Sequence, residues 1–363
     1  MHDRNLLIVD DSAVIRRALT AALSGQPGLD VVGSASNGRI ALMKIPLLHP
    51  DVVVLDSEMP EMDGLETLVA IRQAYPLLPV IMLNVPTPEG AAATVEALTR
   101  GANDYVVKPA GAVPSDATLQ ILGDELAARI DVCCPAVPVA PPRPAAHSVA
   151  AGTARRMKPA GTTGRVDVVV IGVSTGGPIA LMDLLPRFAS DFPVPILIVQ
   201  HMPPVFTKLL AERLATKASI SVGEGRSFDT LAPGQAWIAP GDAHMAVRRD
   251  GEAIRLVTHR NPPENSCRPA VDVLFRSVAE VYGPRVLAVV MTGMGRDGLR
   301  GCEDIQAAGG QVIVQDELSS VVWGMPGFVA RAGIADQVLP LDELGAEIIE
   351  RVGRHRQPWS ARA

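Results

Sequence analysis

Residues 166–173 run VDVVVIGV, apolar on both faces of an extended chain, and stop abruptly at Ser174-Thr175-Gly176-Gly177. A strand without polar alternation must be buried on both sides, and its natural home is a parallel sheet covered by helices. The small-residue turn then puts a hydroxyl at the carboxyl end of that sheet, at the mouth of the next helix. Backbone N–H groups and the helix dipole can stabilise an oxyanion there. The spacing Gly172-x-Ser174-x-Gly176 matches a nucleophile elbow. A phosphate- or nucleotide-binding turn, or a plain strand–helix loop, fits the same residues.

The rest of the chain shows the same alternation twice. Apolar runs at 6–10, 30–35, 52–56, 79–83 and 104–108 predict five strands, with helices such as SAVIRRALTAALS and TPEGAAATVEALTRG between them. Strands are again expected at 166–171, 195–200, 286–291 and 311–314, with helices near 178–187, 204–217, 268–282 and 298–308. The expected fold is α/β, with two doubly wound parallel-sheet domains. Residues 219–258 differ, with short alternating runs and turns at Pro233-Gly234, Pro240-Gly241 and Asp250-Gly251. They predict antiparallel hairpins inserted into the second domain. Residues 132–164, rich in Pro and Ala and without apolar periodicity, predict a linker that spans roughly 30 Å as a coil. The domains are therefore expected at 1–131 and 165–363, and a chain of 363 residues with 48% hydrophobic content can fill two cores.

Composition also excludes. Aromatics make up only 3% and the net charge is −6, which argues against base stacking and against a basic nucleic-acid footprint. The four cysteines form no C-x-x-C pair, so no zinc site is expected and a reducing cytoplasm is the natural compartment. No apolar run is long enough to span a bilayer and no signal peptide precedes the first strand, so the expected protein is cytoplasmic and not membrane-embedded.

Asp10 and Asp11 end the first strand and Asp56 the third, so neighbouring strand ends gather three carboxylates where ligands bind. Such a cluster suits Mg²⁺. Lys108 ends the fifth strand and can reach the same edge. Over about residues 4–130 the chain resembles the response-regulator receiver domain, through IVDDS (8–12), VLDSEMPEMDG (54–64) and KP (108–109). The resemblance implies that Asp56 accepts a phosphoryl group from a histidine kinase. It also implies that Asp11, Asp56 and the Glu58 carbonyl hold Mg²⁺ with support from Asp10, that Lys108 pairs with the acyl phosphate, and that Tyr105 is the switch aromatic. Asn84 stands where the family usually has Thr or Ser. Its amide can still donate to a phosphoryl oxygen, and weaker coupling of phosphorylation to switching is the expectation.

In the second half Ser174 needs a base among His201, His244, His259 and His355. His201 follows the strand run PILIVQ at a carboxyl edge, and QHMPP is expected to begin a helix. Asp297 follows a third buried run, VLAVVMTGMGRDG, with Asp242 and Asp272 as rival acids and a helix N-cap as its bland role. The chain order Ser, His, Asp differs from that of the α/β-hydrolases. Residues 166–353 resemble the catalytic domain of the chemotaxis protein-glutamate methylesterase family, CheB. The motifs are IGVSTGGP (171–178), QHMPPVFT (200–207), IAPGDAHM (238–245), RPAVDVLF (268–275) and MTGMGRDG (291–298). The resemblance implies Ser174 as nucleophile, His201 as base and acid, Asp297 as the orienting carboxylate and the Met294 N–H as an oxyanion donor. It implies a methyl-accepting chemoreceptor as substrate, deamidation of receptor glutamines, no cofactor for the esterase reaction, and a receiver that covers the site until phosphorylated. A response regulator whose second domain only binds a partner, and an esterase for small molecules, are the competing classes.

Overall fold

The computed structural model describes residues 3–85, 87–108, 116–134 and 164–354. The chain divides into two compact units, Met1–Arg156 and Met157–Ala363. In the first, β1 (Arg4–Val9), β2 (Leu29–Ala35), β3 (Val52–Asp56), β4 (Val80–Asn84) and β5 (Asp104–Val107) pair in parallel in the order β2-β1-β3-β4-β5. The helices α1 (Ala13–Leu23), α2 (Gly38–Leu48), α3 (Gly64–Ala74), α4 (Pro88–Thr99) and α5 (Asp116–Cys133) alternate with them. Ser12, Asn37, Asp63 and Thr87 each accept a backbone N–H at the start of the first four helices, and Asp63 with Glu66 closes a capping box. Leu6, Ile8, Val54 and Ile81 from the sheet pack in one buried cluster with Leu19, Leu23, Leu122 and Leu126 from α1 and α5. Strand order reverses between β1 and β3, which opens a crevice at their carboxyl ends. Helix α5 runs through Cys133, into the first residues of the expected linker. Residues 135–163, Pro109 and His355 lie outside the described residues.

The second unit contains β6 (Val168–Val173), β7 (Ile196–Gln200), β8 (Ser221–Glu224), β9 (Gln235–Ile238), β10 (His244–Asp250), β11 (Ala253–His259), β12 (Val286–Val290), β13 (Gln311–Gln315) and β14 (Gln337–Leu339). Its helices are α6 (Gly177–Leu184), α7 (Phe206–Ala215), α8 (Val271–Tyr282), α9 (Leu299–Ala307), α10 (Met325–Arg331) and α11 (Leu341–Gly353). Seven strands form a parallel sheet in the order β14-β13-β12-β6-β7-β9-β8. The chain builds outward from β6 to β7 on one side and later adds β12 on the other. The topological switch therefore lies at β6, where an open α/β sheet places its ligand crevice.

Two expectations need correction. Residues 219–258 are not all antiparallel. β8 and β9 extend the main sheet in parallel, and only β10 and β11 form a hairpin, turning at Gly251 and Glu252 with Asp250 opposite Ala253. The Pro233-Gly234 and Pro240-Gly241 turns serve crossovers. At Gly241 a side chain would collide with the Pro203-Pro204 backbone, so this glycine lets the loop after β9 cross the loop after β7. Nor does QHMPP begin a helix, since α7 starts at Phe206, two residues past Pro204. Among the described residues no helix is long and apolar enough to cross a membrane.

Candidate active site

Val173 and Gln200 are the last register pair between β6 and β7, so Ser174 and His201 come next at adjacent strand ends. Three bonds fix the serine's backbone. Its N–H donates to Thr292 O (3.0 Å), and its carbonyl accepts from Gly177 N (2.8 Å) and Gln200 Nε2 (3.0 Å). A Cβ at Gly293 would lie 2.8 Å from Ser174 Cβ, so glycine is what lets the turn after β12 close against the turn after β6. Ser174 is half-buried, and its Oγ has no hydrogen-bond partner among the described residues.

His201 points its Nε2 at Asp297 Oδ2, 2.8 Å away. The other nitrogen, Nδ1, is left for proton transfer, with Cys267 Sγ 3.8 Å from it. This reverses the serine-protease assignment, in which the acid holds Nδ1. Burial lowers the proton affinity of His201, but the Asp297 and Cys267 hydrogen bonds outweigh it and hold the ring above the ordinary imidazole range.

Asp297 is 2% exposed. Its Oδ2 also accepts Val271 N (2.6 Å), and its Oδ1 accepts Asn265 Nδ2 (2.8 Å), Asp272 N (3.1 Å) and Gly298 N (3.0 Å). Burial favours the protonated carboxyl, yet the His201 contact and these N–H groups keep it below the usual carboxylate range. Asp297 is thus a cap, but for α8 rather than for α9 beside it. Asp272, on α8, returns the favour. Its Oδ1 accepts Gly298 N (3.0 Å) and Gly301 N (2.7 Å) at the start of α9. The rival acids have other work, since Asp242 is half-buried and bound to Arg268. His244 is 1% exposed and bonded to Ala270 N and Pro262 O, with the His259 ring tilted against it at 5.4 Å between centroids.

Met294 follows β12, with its side chain exposed and its N–H without an acceptor among the described residues, as an oxyanion donor must be. Gln200, Thr292 and Asn265 are site groups that the sequence does not single out, and Asp272, a rival acid by sequence, serves as a helix cap. Gln200 adjoins His201 in QHMPP, and that adjacency is the one available signal.

In the first unit, oxygens of Asp10, Asp11 and Asp56 lie within 4.8 Å of one another. Lys108 Nζ sits 2.7 Å from both Asp10 and Asp56. Burial pushes Asp56 up to about 6, against the opposing Lys108 charge and with Asp10 adding repulsion. Asp11 is exposed and free to turn toward a cation. Three hard oxygen donors, two of them buried, fit a divalent cation such as Mg²⁺. Exposed Glu58 donates its N–H to Asp56. Asn84 follows the Asp56–Leu83 register pair, is 0% exposed, and has no partner for either amide atom among the described residues. Tyr105 is half-buried on β5, and burial pushes its phenol up.

Two family models match the chain, CheB methylesterase over residues 169–348 and the response regulator receiver domain over 6–114. The protein-glutamate methylesterase/protein-glutamine glutaminase of Trichodesmium erythraeum is 52% identical over 96% of this chain and 99% of its own length. The protein of the same name from Nocardioides sp. is 46% identical over 97% and 96%. The crystal structure of the Thermotoga maritima CheB methylesterase catalytic domain superposes with a TM-score of 0.50 at 40% identity, covering 51% of this chain and 98% of that domain.

Proposed function

The chain belongs to the CheB methylesterase family, with a response-regulator receiver domain ahead of the catalytic unit, and we propose that it hydrolyses glutamate methyl esters and deamidates glutamines on a chemoreceptor. The observation that carries this reading is the bond between half-buried His201 and buried Asp297 at the sheet's carboxyl edge, with His201 one register step from the Val173–Gln200 pair, as Ser174 is.

Ser174 Oγ attacks the ester carbonyl while its proton passes to Nδ1 of His201. Asp297 holds the Nε2 proton and stabilises the imidazolium that forms. The oxyanion of the tetrahedral intermediate rests on backbone donors, the Met294 N–H among them. The imidazolium returns its proton to the leaving methoxide, and methanol departs. Water, deprotonated by the same nitrogen, then releases the glutamate carboxylate and restores the serine. A glutamine amide passes through the same intermediate with ammonia as leaving group.

Control belongs to the receiver. A histidine kinase supplies the phosphoryl group to Asp56, and Lys108 pairs with the product. Asp10, Asp11, Asp56 and the Glu58 carbonyl would hold Mg²⁺, which when bound offsets the repulsion between an attacking carboxylate and an anionic donor. The readout is a population shift between a restrained and a released catalytic unit. The test is methanol release from methylated receptor membranes, with and without a small phosphodonor, for the wild-type chain and Ser174→Ala. The variant should fold and fall to near background. Release above about a tenth of wild type would remove Ser174 from the nucleophile's role.

A further inference from the structure

Glu264 and Cys267 exchange backbone hydrogen bonds, 3.1 Å and 2.9 Å long. Between them Asn265 (φ 53°) and Ser266 (φ 62°) both lie at positive φ. This is the pattern of a type I′ turn, which asparagine tolerates better than most residues with a side chain. Both ends are anchored. Glu264 pairs with Arg276 on α8 at 2.7 Å, and Cys267 lies beside His201 Nδ1. From this turn one nitrogen, Asn265 Nδ2, contacts two carboxylates, Asp297 Oδ1 and Asp272 Oδ2, each at 2.8 Å. The two carboxylates are 2% and 1% exposed, carry like charge, and belong to the exchanged caps of neighbouring helices. An amide nitrogen has two hydrogens to give, and both are used here. Among the described residues nothing else donates to Asp272 Oδ2.

We propose that Asn265 is a positioning residue for the hydrolysis. By bridging Asp272 and Asp297 it fixes the Asp297 carboxylate, and through it the ring of His201. The proposal rests on the Ser174–His201–Asp297 reading. Asn265 itself touches neither the reacting atoms nor the imidazole. Without the amide, Asp272 Oδ2 would be a buried anionic oxygen with no donor, facing a second carboxylate of the same sign. Rotation of either carboxylate relieves that repulsion, and rotation of Asp297 withdraws Oδ2 from Nε2. The carboxylate that orients the nucleophile's base then keeps four of its five partners and loses its one side-chain tie to Asp272.

Three variants of the full chain separate the amide from the turn. Asn265→Gly keeps the positive φ without strain and deletes the amide. Asn265→Ala deletes both. Asn265→Asp keeps the shape but replaces two donors with a charge. With methylated receptor as substrate, Asn265→Gly should lower kcat roughly 10- to 100-fold, the scale of a small misplacement of catalytic groups, with KM little changed. Asn265→Asp should also lose rate, and should move the acidic limb of kcat/KM to higher pH because a third carboxylate favours the imidazolium. Wild-type kcat and pH profile in Asn265→Gly, with only Asn265→Ala impaired, would make the residue a turn-former and overturn the proposal. If the glycine variant fails to fold, the aspartate variant decides, and an unmoved acidic limb there counts against it. Ser174→Ala, assayed alongside, separates the two readings. If it turns over, the triad fails. If it is dead while Asn265→Gly is normal, the positioning role alone fails.

Discussion

Asp297→Asn changes one atom, and neither orientation of the new amide fits. The carboxylate accepts from five groups, His201 and Val271 N at Oδ2, and Asn265, Asp272 N and Gly298 N at Oδ1. An amide has one acceptor oxygen and one donor nitrogen. With the nitrogen at the Oδ2 position, it confronts the Val271 N–H and can satisfy His201 only by donating to Nε2. The ring proton then moves to Nδ1, the atom that must accept the serine proton. With the amide flipped, the nitrogen faces three donors. One orphaned donor costs about 1–3 kcal/mol and three cost more, so the first orientation wins and the wrong tautomer follows. The expected loss in kcat/KM is up to ~10⁴-fold if the triad behaves as in serine proteases, about 5 kcal/mol of transition-state stabilisation. Unfolding of the catalytic unit should fall by about 1–3 kcal/mol.

The pH dependence of the same variant has a definite sign. A general base must be neutral, and Asp297 holds His201 above the ordinary imidazole range. Wild-type activity should therefore decline as pH falls through a value above about 6.5. Asparagine removes the carboxylate, burial is then opposed by Cys267 alone, and the limb should move down. Methanol release measured across the neutral range, with urea unfolding in parallel, reads both effects. A loss of less than about tenfold, or an acidic limb that stays in place, would refute the tautomer reasoning.

Asp56→Asn should abolish both phosphoryl labelling from a small phosphodonor and the accompanying rise in esterase rate, and a retained rise would move the phosphoacceptor elsewhere. Chelating divalent cations should stop labelling and leave the basal esterase rate intact, because the three-carboxylate cluster lies in the first unit while the converging His201, Cys267 and Asp297 of the second are bonded to one another; a lost basal rate would place a cation in the esterase reaction. Asn84→Thr tests a reversal of the sequence argument. The buried Asn84 amide has no partner among the described residues, a cost of about 1–3 kcal/mol that a phosphoryl oxygen would relieve. The ratio of phosphorylated to unphosphorylated activity should fall in the threonine variant, and a larger ratio would favour the weak-coupling view.

The parallel sheets were legible because runs such as VDVVVIGV and VVVLD have only one stable home, and a strand end names its crevice. Where burial is partial the signal fades. β8 is exposed or half-buried along its length, and β14 has three residues at the sheet edge. Period-2 alternation in such strands says nothing about whether the partner is parallel. Strand ends nominate Ser174, His201 and Asp297 but leave Asp242 and Asp272 as rivals, and only the family resemblance chooses among them. The nitrogen that His201 turns to its acid is a rotamer, and no spacing encodes it.

The exchanged caps were the deeper omission, because capping is read locally and these caps are not local. Asp297 stands two residues before α9 and looks like its own cap. A hint was present all the same. The residues that immediately precede α8 and α9 are Ala270 and Gly298, and neither has a side chain able to accept an N–H. Helix starts without their own acceptors must find one elsewhere. The two nearest buried acids, Asp272 and Asp297, each serve the other's helix. Gly301 permits the exchange, since a side chain there would strike Phe275 on α8. The acid that orients His201 is thereby tied to the packing of two helices, and a change at their contact, such as Gly301→Ala, reaches the imidazole through Asp297 without touching the site's opening.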